Sequence, residues 1–231
     1  MTPLRLFDLF LRPRRFFTSR PTPGTAVALV AGVLLYGLGT GITRLEHQSA
    51  LRMVLKARGI VPRRRMPFLE SVSGDWLQFW GHAALTALAA AALLWTVGTW
   101  WFRLRARWSG APAADMGTSR EIYVWSGMVL ALPAVILALV QTAAFPSFRA
   151  AWTEASLWAL VLIVFPFWSV FTSYAGVRAL LPVKRSRAIL WFLVLPWLLY
   201  AVAFFPLAAS MLHMQQRHGP AKSLFPSGKS A

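Results

Sequence analysis

The chain has 231 residues, 57% hydrophobic and 13% charged, with a formal net charge of +17. The charged share lies well below the roughly 25% of soluble domains, which excludes water as the main solvent. Arginines and lysines sit between apolar runs with no free basic face, which excludes nucleic acid as a partner, and the lack of cysteine excludes disulfides and thiolate chemistry.

Residues 1–23 read as a basic amphipathic segment. "PLRLFDLFLRPRRFF" alternates bulky apolar residues with arginine, so that Arg12, Arg14 and Arg15 meet anionic lipid headgroups while Phe16 and Phe17, with Leu6, Phe7 and Phe10, enter the apolar layer. Each arginine near an anionic surface contributes about 1 kcal/mol.

A membrane domain follows over residues 24–213, with five runs long enough for the roughly 20 residues that a helix needs to cross about 30 Å of hydrocarbon. They cover about 25–42, 77–101, 122–145, 152–177 and 188–212. The first run exceeds the 7–15 apolar residues of a secretory signal and is read as retained. None alternates as a barrel strand does, and a chain in lipid must satisfy its own backbone hydrogen bonds, so each is a helix. The expected fold is all-α: a polytopic bundle of five transmembrane helices with short amphipathic interfacial helices, closed by a polar, basic tail over residues 214–231.

Within the first run, Gly37 and Gly41 lie four apart on one face, a spacing that admits a close neighbouring backbone. Next comes "LEHQSALRMVLKAR", where Leu51, Val54 and Leu55 share a face opposite Arg52, Lys56 and Arg58; this suits either a helix in the interface or a solvated loop helix. Pro133, Pro166, Pro196 and Pro206 predict kinks in the last three spans. With the N-terminus inside, thirteen positive residues face inward and eleven outward, and the later connections alternate four, one, four. That pattern follows the positive-inside rule and predicts a cytoplasmic N-terminus; the location expected is a bacterial inner membrane.

Chemistry-bearing residues are sparse. The seven acids fall at or beyond the expected helix ends, Ser126 has no base partner, and the glycines Gly37, Gly39 and Gly41 form no phosphate loop. No charge is expected in any span centre, which argues against a coupled pump. Gln141, Thr172 and Ser173 are polar groups within spans that could line a cavity. His47, His82, His213 and His218 share the outer side; His82 with His213 would form a metal or haem site only if their helices touch. No catalytic residue, metal or cofactor is expected.

"RPRRFF" ahead of five spans, "WFRLRARWSGAPAADMGTSREIYVWSGMVLALP" and "FPFWSVFTSYAGVRALLPVKRSRAILWFLVLPW" together resemble the Yip1-domain family of small integral membrane proteins, over about residues 12–212. The resemblance implies a five-helix bundle with a cytoplasmic N-terminus. Eukaryotic members act in vesicle traffic and contact small GTPases and one another; this chain has a much shorter segment before its first helix. The function expected is non-enzymatic, organising anionic lipid, a membrane-protein partner or a second copy. The alternative is a transporter of a small solute, ion or lipid.

Overall fold

The computed structural model describes residues 3–19, 25–57, 74–154, 164–202 and 205. Among these residues every regular element is helical. In chain order they are α1 (Pro3–Leu11), α2 (Pro13–Thr18), α3 (Thr25–Ala57), α4 (Trp76–Trp108), α5 (Met116–Ala144), α6 (Phe148–Glu154), α7 (Val164–Leu180) and α8 (Arg185–Val202). Four helices are long and apolar enough to cross a membrane: Ala26–Ser49 within α3, and α4, α5 and α8. The fourth expected span, 152–177, lies partly outside the described residues; its start falls in α6 and its described remainder in α7, whose 17 residues also pack in the bundle.

Small residues set the helix contacts. A methyl group at Gly41 would stand 2.5 Å from the Thr86 hydroxyl, and one at Gly37 would reach the Ala87 carbonyl, on the face where α4 buries Ala83, Ala87 and Ala91. Gly39 turns the other way, and a methyl there would lie 2.6 Å from the Ala131 methyl of α5. Three glycines in five residues therefore let α3 approach two helices at backbone distance. In lipid, where hydrocarbon offers no hydrophobic drive between helices, such close packing is what holds them together.

Several boundaries differ from the sequence reading. The amphipathic stretch after Ile42 is not a separate interfacial helix: α3 continues through it without a break to Ala57, and Leu45 and Glu46 are buried. Glu46 is thus inside a helix, contrary to the expectation that all acids lie at helix ends; the side chains after Leu51 fall outside the described residues. α4 runs on past Trp101 to Trp108, and α5 begins at Met116 because Asp115 caps it, accepting the Thr118 backbone N–H at 2.8 Å. That hydrogen bond holds the Asp115 carboxyl below the ordinary aspartate range.

Among the prolines, Pro133 is accommodated inside an uninterrupted α5. Pro196 follows a π-helical turn at Leu190–Val194, where the Leu195 N–H reaches back five residues to the Leu190 carbonyl. A second π turn occupies Leu94–Gly98 of α4. Such insertions widen a helix locally and re-aim the side chains that follow. Pro206 lies outside the described residues.

At one end, α6 closes the bundle by stacking Phe148 on Phe79 at 4.8 Å, while the Trp76 indole donates to the Phe145 carbonyl at 2.8 Å. At the other end the turn around Gly110 (φ +100°) joins the turn before α8 through Lys184 N–H donating to the Ser109 carbonyl at 2.9 Å.

Candidate functional site

The amphipathic N-terminal segment forms two short helices that are inserted into the bundle. Leu9, Phe16 and Phe17 are buried in the main core with Phe102, Ile122, Trp125 and Val177. Phe16 meets the Trp125 ring edge-on at 5.7 Å, and Phe17 packs over Gly176 of α7, where a methyl would stand 2.8 Å from its ring. The assignment of Phe16 and Phe17 to lipid contact is therefore corrected: they face protein. Phe7 and Leu11, 65% and 72% exposed, are the outward apolar residues of the segment. The Trp168 indole fixes α1 from α7 by donating to the Phe10 carbonyl at 2.8 Å.

Anchoring α2 by its phenylalanines turns its arginines outward. Arg12, Arg14 and Arg15 are exposed and line one side of a groove of about 840 Å³, and Arg178 and Arg185 line the other. Among the described residues no carboxylate lines it. Like charges so arranged repel one another, and an anion between them relieves the repulsion while accepting several guanidinium hydrogen bonds. Arg178 also donates to the Val183 carbonyl at 3.3 Å, which keeps its chain against the turn before α8.

A second concavity lies inside the bundle. It has a volume of about 260 Å³ and takes lining residues from α3, α4, α5, α7 and α8. Its polar groups include Arg105, Tyr36, Tyr123, Tyr200 and Ser173. Arg105 is the charge that sequence reasoning missed. With the second span ending at Trp101, it counted as part of a connection; in the structure it belongs to α4, its guanidinium carbon 5.4 Å from the centre of the Phe102 ring and 4.9 Å from that of Phe192. The signal available was the spacing "FRLRARW", which puts Phe102 and Arg105 on one helical face.

The other expected site residues disperse. Ser173 lines the interior cavity, but Thr172 is fully buried and donates within its own helix to the Trp168 carbonyl at 2.9 Å. Gln141 is buried fifteen residues beyond Ser126 along α5, about 22 Å away at 1.5 Å per residue, and does not line the cavity. The three do not form one site. His82 is half-buried on α4, while His213 falls outside the described residues, as does His218. Among the described residues no group of three His, Cys, Asp or Glu side chains could hold a metal ion.

Comparison with known proteins adds no assignment: no family model, curated protein or solved structure matches the chain.

Proposed function

We propose that this chain is a non-enzymatic multi-pass membrane protein of Yip1-like type that gathers anionic phospholipid at its arginine groove. The observation that carries the reading is the burial of Phe16 and Phe17, which holds Arg12, Arg14 and Arg15 opposite Arg178 and Arg185 around a groove lined, among the described residues, by no acid. A tethered but unfolded basic tail would gather lipid weakly; a preorganised set of guanidiniums binds without the entropy cost of ordering them.

In this reading the chain crosses the membrane five times, and the end bearing the groove is cytoplasmic in a bacterial inner membrane. Support for that orientation comes from charge: the groove, the Arg103–Arg107 end of α4 and the Lys184–Arg187 start of α8 gather at one end of the bundle.

The test is lipid retention. Purified protein is exchanged into neutral detergent micelles doped with phosphatidylglycerol or phosphatidylcholine, and bound lipid is counted by native mass spectrometry. Phosphatidylglycerol is expected to be retained preferentially, and Arg12→Gln/Arg14→Gln/Arg15→Gln to lose that preference. Equal retention of both lipids by the parent protein would sink the proposal.

A further inference from the structure

The interior cavity carries an inference independent of the surface groove. Arg105 has five N–H donors to satisfy. Among the described residues its one protein acceptor is the Trp191 carbonyl, at a long 3.4 Å, and its Nε is buried with no partner. The Phe102 and Phe192 rings attract the cation but accept no in-plane hydrogen bond. Among the described residues no carboxylate lines the cavity to neutralise it. An ionised group so placed in an apolar bundle is costly and points to a function, with an anionic partner expected.

Neighbouring hydroxyls add donors. Tyr36 and Tyr123 hydrogen-bond to each other, so one of their two protons remains for a third group. Ser173 lines the same cavity with its hydroxyl. Both tyrosines are held in place by glycine seats: a methyl at Gly127 would overlap the Tyr36 ring, and one at Gly98 would lie 2.5 Å from that of Tyr123.

Access decides the class of anion. The rim includes Trp101 and Leu199, 42% and 65% exposed, and Leu199 continues into the exposed apolar surface of Trp197, Leu198 and Val202. Trp101 and Trp108 meet edge-on at 5.6 Å beside it, the residue type that marks the headgroup level. A volume of about 260 Å³ holds an oxyanion and a few carbons, not an acyl chain. We infer that the cavity receives the oxyanion head of a lipidic anion, a carboxylate or phosphate monoester, whose acyl chain leaves between Trp101 and Leu199 into the bilayer. Arg105 pairs with the head, Tyr123 and Ser173 donate to it, and Phe192 walls the first methylenes.

The experiment titrates the purified full chain in neutral detergent, following tryptophan fluorescence, with oleate, oleoyl lysophosphatidic acid, methyl oleate, acetate and inorganic phosphate. Saturable binding of oleate or lysophosphatidic acid is expected, with methyl oleate weaker by about tenfold or more, as loss of a charged hydrogen bond requires. The oleate and lysophosphatidic acid arms tell a carboxylate head from a phosphate head. Arg105→Gln should lose at least tenfold, Arg105→Lys less, and Gly81→Ala, outside both the cavity and the groove, nothing. Ser173→Leu, which fills the cavity and leaves the arginine intact, should also block binding and guards against misfolding of Arg105→Gln. Equal affinity for oleate and methyl oleate, unchanged binding in both Arg105→Gln and Ser173→Leu, or acetate or phosphate binding as tightly as the amphiphiles would each overturn the inference.

Discussion

The guanidinium of Arg105 stands 4.9 Å from the centre of the Phe192 ring, joining α4 to the π turn of α8 across the interior cavity. This pairing links the two local departures from α-helical geometry. Each π turn lies a short way N-terminal to a cavity residue: Leu94–Gly98 precedes Arg105, and Leu190–Val194 contains Phe192 and precedes Tyr200.

A stability measurement separates a structural arginine from one kept for binding. A buried charge that faces no carboxylate carries its desolvation cost without an ion-pair gain, and an apolar side chain of similar length removes that cost. Arg105→Met is therefore expected to keep or raise the thermal unfolding midpoint of the detergent-solubilised protein. A fall of many degrees would mean that Arg105 holds the bundle together.

Glycine contacts predict opposite signs for one chemical change. At Gly37 an added methyl meets the backbone of Ala87 and Ala91, which cannot rotate away, so Gly37→Ala should destabilise by about 1–3 kcal/mol. At Gly81 nothing lies within 4 Å of the new methyl, and relief of backbone entropy should stabilise by about 0.5–1 kcal/mol. Reversible unfolding in mixed micelles measures both, and equal shifts would contradict the α3–α4 packing.

Two phenylalanines of the N-terminal segment should behave differently. Phe17 is 2% exposed, and Phe17→Ala should cost about 3–5 kcal/mol and release the segment, speeding tryptic cleavage after Arg14 and Arg15. Phe7 is 65% exposed, and Phe7→Ala should leave both the midpoint and the cleavage rate unchanged. Similar effects of the two changes would return Phe17 to the lipid.

Asp115 gives a pH signature. Its carboxyl is held below the ordinary range by the Thr118 N–H, so the folded state releases its proton at lower pH than the unfolded chain. The resulting stability is fully present above about pH 4, the unfolded aspartate value, and is lost as pH falls through the lower folded value. Asp115→Ala should lower stability at neutral pH by about 1 kcal/mol, and Asp115→Asn by less. The gap between Asp115→Asn and the parent should narrow as the medium is acidified below pH 4; a constant gap would remove the carboxylate's role in capping α5.

Apolar run length determined the helical class and the approximate position of the membrane helices, because a bilayer leaves the backbone little choice but to bond to itself. Glycine spacing also announced, at Gly37 and Gly41, the face on which α4 arrives. Helix ends were less legible. Thr25–Ala57 and Trp76–Trp108 each have 33 residues, about 50 Å at 1.5 Å per residue, so they outrun the hydrocarbon layer that the apolar count measures. That overrun carried Glu46 and Arg105 from expected connections into helices.

Only the tertiary structure decided what each apolar side chain faces. Phe7 and Phe17 look alike in sequence, yet one is outward and the other is packed over Gly176. Lipid and protein interior are equally apolar, so hydrophobicity cannot tell them apart; the space left by a glycine on a neighbouring helix can. The same holds for polar residues within spans. Thr172 and Ser173 are adjacent, and it is the rotation of α7 against α5, fixed by Ser169 donating to the Ser126 carbonyl at 2.9 Å, that turns Ser173 toward Arg105 and buries Thr172.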